Sequence, residues 1–460
     1  MAYGGMVSLH LRHGTLRDIH TANTLIWYLL AFVTYLAAIL WAERRRKISR
    51  MVMWGGAIAF RIVLIFTTPT LSDDIYRYMW DGHVANNGVS PYAYPIDSSA
   101  LDFLDVPQRA LANNRWMASP YLPTAQLLFT GLTFLFPWRA ILFQIAMVIF
   151  DLFSAVLIVK LLKIASLPDY RVLIYLWNPL VVVEVAHGAH VDAWMIFLTM
   201  LALWLTFSPQ QGKLSTWLAP VGLALATLTK ILPLLLLPIL FWRWRWAQLV
   251  LYGAITVALM IPAGLRAGWG LTGPLDGTGL FGAIRIYADQ WNFNSGIFHW
   301  LEVDLLPGLG VIQATDWAKA IVILALLAVM IGVWFRARQQ ADSLSTLRLM
   351  AGPYMAYILL NTTVNPWYML ILLAFLPFLP PRPTESSRRW LAVIPWLYLS
   401  GALSLSYLTY LDPLDFRELA WVRQTEWLPT LGLLALWVIL LGVTRLKLEV
   451  EGSTFERSNL

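Results

Sequence analysis

The sequence predicts an all-α polytopic integral membrane protein: a bundle of about 13 transmembrane helices, with long outer loops carrying short surface helices. Three observations predict it. The 460-residue chain is 59% hydrophobic and only 13% charged, where a soluble domain is about a quarter charged. Apolar runs of about 17–25 residues recur from end to end. The Lys and Arg residues gather in short clusters at alternate turns, which is how cytoplasmic loops read. The 24 Trp and 18 Tyr suit anchoring at the two membrane interfaces.

Composition also excludes functions. With no Cys, there is no disulfide, thiol chemistry or Cys-ligated metal. The formal charge of +7 does not read as nucleic-acid binding, because the basic residues sit between spans, where they report topology. Residues 1–23 are polar and lack the apolar core of a cleavable signal peptide.

Taken in order, residues 24–41 form the first span, and the basic run 43–50 marks its inner end. Residues 51–68 return outward. Residues 69–121 are a long outer loop rich in Asp, Asn, Pro and Tyr, of a length that is usually functional when ordered. Residues 122–136 are too short to span and read as a re-entrant or surface-lying helix. Residues 140–162 run inward to Lys160, Lys163 and Arg171; 171–186 run out to a turn at 187–192; 193–207 run in to Lys213. Residues 215–229 go out to Lys230 and Pro233, and 234–242 come back to Arg243 and Arg245. Residues 247–264 lead to a second outer loop, 265–317. Residues 318–335 end at Arg336, Arg338 and Arg348, and 349–360 lead out to Asn361–Pro366. Residues 367–380 end at Arg382, Arg388 and Arg389; 390–408 lead out to the acidic loop Asp412–Glu426; 428–444 return to Arg445 and Lys447. No internal repeat is visible, so the whole chain, 1–460, reads as one membrane domain. Mixed Asp, His, Asn, Trp and Tyr segments all fall on the outer side, which places any chemistry there.

The stretch 71–83 concentrates Asp73, Asp74, Arg77, Asp81 and His83 beside an apolar segment. Such a cluster is costly near a membrane unless it faces water. An Asp at an outer helix end serves as a general base on an alcohol, or as a ligand for a metal or sugar hydroxyls. It equally serves as a helix cap, where a carboxylate complements the dipole. In a helix over 73–84, Asp74, Arg77 and Asp81 share one face, so Arg77 has Asp81 as a structural partner and Asp74 is left free. Asp73 and Asp74 also suit Mg²⁺ or Mn²⁺, though no full set of oxygen ligands is legible.

His187, His190 and Asp192 have a metal-like spacing but lack the further ligands that zinc requires. They read better as contacts to an anionic head group at the membrane edge. Glu184, one turn earlier in an apolar run, needs a partner: a His or Lys230. Lys230 breaks the positive-inside trend. It either snorkels or meets a phosphate. In the second loop, Arg285 offers another cation, and Trp291, Asn292 and Asn294 combine an aromatic face with amides, as sugar sites do. Asn361, Asn365, Trp367 and Tyr368 form a smaller set of the same kind. A secondary transporter or flippase using the intramembrane Glu184 and Asp151 is the competing function.

Ser72–Gly82 with Gly88–Pro95 resembles the first outer loop of bacterial GT-C fold glycosyltransferases, the polyprenyl-phosphate-sugar-dependent enzymes with mannosyltransferase-like members. Residues 121–126, 177–192, 228–233 and 291–296 resemble the same family in the same order. The resemblance implies a GT-C-like bundle in which Asp74, or Asp73, is the catalytic base of the loop 69–121. It implies an inverting transfer of one sugar, mannose by default, to a hydroxyl of a lipid, glycan or protein acceptor. It implies that Lys230, Arg285, His190 and Arg77 meet the donor phosphate, and that His187, Asp192, Trp291, Asn292, Asn294, Tyr121 and Gln126 meet sugar or acceptor. It also implies a bacterial inner membrane with an extracytoplasmic site serving the cell envelope. In that family the first loop follows the first span. Here it follows two, so one helix is added at the N-terminus.

Overall fold

In hydrocarbon, backbone amides must be satisfied within their own segment, and the apolar runs accordingly coil into helices. The structure is a computed structural model, and it describes residues 1–209, 212–382, 385–411 and 418–458. Among these there is no β-strand, only an isolated bridge between Phe293 and Thr363. The principal helices are α1 (Ala2–His13), α2 (Thr21–Arg45), α3 (Arg50–Ile65), α4 (Asp74–Asn86), α5 (Pro123–Leu135), α6 (Ala140–Ile164), α7 (Pro179–Ala186), α8 (Asp192–Phe207) and α9 (Lys213–Thr227). They continue with α10 (Trp246–Ala267), α11 (Gly282–Gln290), α12 (Val311–Gln339), α13 (Ser343–Leu360), α14 (Leu370–Phe375), α15 (Ile394–Ala402) and α16 (Ala420–Ser458). The protein is an all-α membrane protein. Among the described residues, five helical stretches are long and apolar enough to cross a membrane: Asp18–Arg45, Ala140–Ile164, Trp246–Ala267, Val311–Gln339 and Arg389–Leu411.

Several expected spans are shorter or broken. The run 171–186 is interrupted at Trp177–Asn178, between a short turn at Leu173–Leu176 and α7. Pro179 has no N–H to give the preceding turn, and Asn178 caps α7 by accepting from the Leu180 amide. The buried Asn178 also donates to Tyr35 Oη at 3.2 Å and Ser400 Oγ at 3.1 Å, so the break is pinned from two other helices. Pro233 and Pro366 likewise open short 3-10 turns. The segment 122–136 is the short helix α5, as expected. It packs along α4, and Gly82 allows the close approach: a Cβ there would run into the Phe129 carbonyl.

The inner turns expected from the basic clusters bind one another. Arg50 pairs with Asp169 at 3.0 Å, Arg171 donates to the Pro380 carbonyl, Arg382 to the Ala165 carbonyl, and Arg348 forks onto Glu385. Between the two ends lies a buried ion pair that the sequence reading passed over. Arg61 on α3 donates to Asp151 on α6 at 2.5 Å, and Tyr175 donates to the other Asp151 oxygen at 2.6 Å. Asp151 thus ties three segments together. Residues 412–417 of the expected acidic loop lie outside the described residues.

Candidate active site

Helix α4 begins at the acidic pair because Ser72 Oγ accepts from the Asp74 amide and the exposed N–H dipoles favour carboxylates there. The two carboxylates have different partners. Asp73 is gripped at both oxygens, at 2.9 and 3.0 Å, by Arg17 from the segment before α2. Burial pushes the Asp73 carboxyl up, while Arg17 pulls it down. Asp74 accepts from Asn113 Nδ2 at 2.6 Å through Oδ1, and its side chain is 14% exposed. Both face a cleft of about 650 Å³.

Most outer turns expected from the sequence contribute to this cleft or lie directly behind it. Its wall includes Asp74 and Asn113 from the first loop, Tyr121 before α5, Lys230 after α9, Tyr287, Trp291 and Asn292 from the second loop, Asn361 and Tyr368 around α14, and Tyr410 near the acidic loop. The turn 187–192 sits behind it. Lys230 Nζ donates to the buried Asp192 at 2.6 Å and lies 5.5 Å from the centre of the Tyr368 ring. Asp192 therefore orients the ammonium and does not itself line the cleft. The remaining wall is aromatic: Trp291 stacks on Tyr287 at 4.8 Å, and Tyr287 and Tyr368 share a hydroxyl contact at 2.6 Å. A cation, a carboxylate and ring faces around one cleft match a phosphate, an attacking hydroxyl and sugar C–H surfaces.

Several expected contacts lie elsewhere. Arg77 is buried and pairs with Asp81 at 3.0 Å, while its other nitrogens take the carbonyls of Asn114 and Met117 at 3.2 Å. It is therefore not placed to meet a phosphate. It fixes the strip carrying Asn113, the partner of Asp74. Gln126 is buried against Asp81 and Ser119. Arg285 turns out of the cleft to the carbonyls of Gly273 and Pro274 at 2.7 and 2.6 Å. Its neighbours on α11, Ile284 and Tyr287, face inward instead. Asn294 is a buried hinge with φ of 50°, whose amide donates to Glu418 and whose carbonyl accepts from Trp427.

The two histidines differ as sharply. His187 is buried: its Nε2 accepts from the Thr70 and Leu71 amides at 3.1 and 3.4 Å, so the proton resides on Nδ1, facing Thr67 Oγ1 at 2.7 Å. Burial pushes its pKa down to about 3, which keeps the ring neutral as this bonding requires. It holds the entry to the first loop. His190 is also buried, with Nε2 3.1 Å from Glu184 and Nδ1 3.7 Å from Asp74. Trp367 stacks on its ring at 4.2 Å, and Tyr407 donates to Glu184 at 2.5 Å. His190 thus lies behind Asp74, away from the cleft.

Among the described residues no three His, Asp or Glu side chains converge as a metal set. Asp73 is committed to Arg17 at both oxygens, while Asp74 accepts from Asn113 through one oxygen. The residues that sequence reasoning missed are Arg17, Asn113 and Tyr410. They come from distant segments, and only the basic character of Arg17 was visible in advance.

A family model described as alpha-(1->6)-mannopyranosyltransferase, N-terminal domain, matches residues 5–247, just over half the chain. The matched stretch contains both acidic residues, the turn 187–192 and Lys230. No curated protein gives a match.

Proposed function

Since the chain belongs to the alpha-(1->6)-mannopyranosyltransferase family, we propose that it is a GT-C type glycosyltransferase that moves mannose from an outer-leaflet polyprenyl-phosphate donor to the primary hydroxyl of a mannose-bearing acceptor. The observation that carries the reading is the pairing, on one cleft wall, of a free-faced carboxylate, Asp74, with a cation, Lys230. The acceptor oxygen attacks the anomeric carbon as the carbon–oxygen bond to phosphate breaks. The bonding electrons leave with the phosphate, and Lys230 stabilises that charge. Asp74 accepts the hydroxyl proton. General-base assistance of this kind contributes about 10²–10⁴ in rate. Displacement in one step inverts the centre, so an α product requires a β-linked donor.

Asp73 supports this arrangement through Arg17 and takes no proton. The flanking rings Tyr287, Trp291 and Tyr368 hold the sugar faces, and the lipid tail lies between helices at the membrane edge. The remaining spans of a bundle of about 13 come from the short and broken helices beside the five long ones. No step uses a metal. The reading places the cleft on the extracytoplasmic face of a bacterial inner membrane, in service of the cell envelope.

The test is transfer from a short-chain polyprenyl-phosphate mannose to a mannose oligosaccharide by purified protein in detergent, with and without EDTA. Release of polyprenyl phosphate with a new α-mannoside is expected, unchanged by EDTA and reduced at least about 100-fold in Asp74→Asn. Full activity in Asp74→Asn would remove Asp74 from the mechanism. Absence of turnover by folded wild type, with flux of lipid-linked sugar in sealed liposomes, would make the protein a carrier.

A further inference from the structure

Asp74 has a second partner that the transfer scheme does not use. His190 sits on the side of Asp74 away from the cleft, between two carboxylates: Asp74 at 3.7 Å from Nδ1 and Glu184 at 3.1 Å from Nε2. His190 is fully buried and Glu184 nearly so, while Asp74 is 14% exposed at the cleft wall. A buried carboxylate is costly unless a polar partner offsets the cost.

The local backbone is built around this ring. Ala189 takes φ of 52°, a left-handed conformation that a residue with a Cβ adopts only under tertiary constraint. Gly188 precedes it because a Cβ there would lie 2.8 Å from both the Glu184 carbonyl and His190 Cδ2. The turn brings His190 back onto Glu184, six residues earlier, and its amide donates to the Glu184 carbonyl at 3.1 Å. Trp367 closes one face of the ring at 4.2 Å, and Tyr407 holds the far oxygen of Glu184 at 2.5 Å. Four segments thus fix one imidazole whose two nitrogens lie 3.1 and 3.7 Å from carboxylate oxygens.

We infer that His190, braced by Glu184, is a positioning residue for Asp74: it acts through the base and touches neither donor nor acceptor. The ring places Nδ1 3.7 Å from the rear oxygen of Asp74 and is held there by its packing on Trp367 and Glu184. Together with Asn113 on the other oxygen, it sets the carboxylate's plane toward the cleft. This inference rests on Asp74 being the base.

The consequence is a split in kinetics. His190→Gln keeps a hydrogen-bonding side chain and loses the ring. It is expected to lower kcat by about 10–100-fold, as small misplacements of reacting groups do, with donor KM within about twofold of wild type. Glu184→Gln and Gly188→Ala act on the same device, so combining either with His190→Gln is expected to add little, as for residues coupled in one network. His190→Gly is expected to regain activity with added imidazole, which fits the space between Trp367 and Glu184. Rates are taken per donor-binding site, so that a misfolded fraction does not count as slow enzyme. Asp74→Asn is measured beside them.

If Asp74→Asn is inactive while His190→Gln turns over like wild type, the inference fails and the role of Asp74 stands. If Asp74→Asn is active, the reading of the base itself fails. A raised donor KM with unchanged kcat in His190→Gln would also overturn the inference, making His190 a donor contact. Should His190→Gln fail to fold, the near-isosteric Glu184→Gln carries the same test: wild-type kcat would overturn the inference.

Discussion

Lys230 is the residue that most separates a solvated surface charge from a working one. A lysine at a membrane edge ordinarily needs only to snorkel. This one is drawn onto the buried Asp192 at 2.6 Å and over Tyr368, yet still lines the cleft. Without Asp192 its long stem has no fixed direction. Lys230→Met is expected to raise donor KM by about 10–100-fold, the worth of a charge-assisted hydrogen bond, with a smaller change in kcat. Asp192→Asn is expected to reproduce most of that effect while leaving Lys230 in place, and the double variant is expected to match Lys230→Met. Additive losses would show that the two residues act separately. The pairing was half legible. That Glu184 and Lys230 needed partners followed from their apolar surroundings. For Glu184 the expected choice of a His or Lys230 fell on His190, at 3.1 Å; the pairing of Lys230 with Asp192 did not follow, because Asp192 comes after a turn whose left-handed Ala189 defeats any count by helical period.

At the scale of elements, the positions of helices were written in apolar runs and their ends in Arg, Lys and Pro. The break at Trp177–Asn178 was not, because the run 171–186 is apolar on both sides of it and a Pro at a helix's first turn leaves the hydropathy unchanged. Arg77 and Asp81 were readable as an i, i+4 pair because both lie on one helix. Arg285 was not, because its partners are backbone carbonyls of a loop. The inner turns carry a testable charge effect of their own. Glu385 receives two nitrogens of Arg348 at 2.8 Å and the Arg382 amide at 2.8 Å. These bonds, with Arg348 first, hold its carboxyl down from 4.5 to about 2. A folded-state value below the unfolded one means that the unfolded chain binds the proton first. The stabilisation is therefore present in full above pH 4.5 and is lost as pH falls from there toward about 2. Glu385→Gln is expected to lower the thermal midpoint in detergent at neutral pH. The gap to wild type is expected to close on acidification through that window, as followed by tryptophan fluorescence. A gap that stays constant with pH would mean that Arg348 and Glu385 contribute by packing alone.

At the scale of the whole molecule, two sets of turns separate. Loops 69–121 and 265–317 and the turns at 187–192, 230–233 and 361–366 meet around the cleft, while the basic turns near residues 43–50, 163–171, 338–348 and 380–389 hold one another. This sorting follows from alternation alone, since each crossing reverses the side, and the positive-inside rule assigns the basic set to the cytoplasm. On the proposed reading the cleft opens on the other face, within reach of an extracytoplasmic lipid-linked donor. The absence of cysteine makes the assignment directly measurable, because one introduced thiol reports one position. Ser99 on the first loop and Lys47 on the first basic turn are both exposed and distant from the cleft wall. In right-side-out vesicles a membrane-impermeant maleimide is expected to label Ser99→Cys at once and Lys47→Cys only after permeabilisation. Inverted vesicles should exchange the two results. Labelling of Lys47→Cys from outside would turn the bundle over, put Asp74 and Lys230 on the cytoplasmic face, and require a donor presented there. Labelling of both from one side would break the alternation itself, with an odd number of crossings lost or gained between residues 47 and 99, where only α3 now stands to cross.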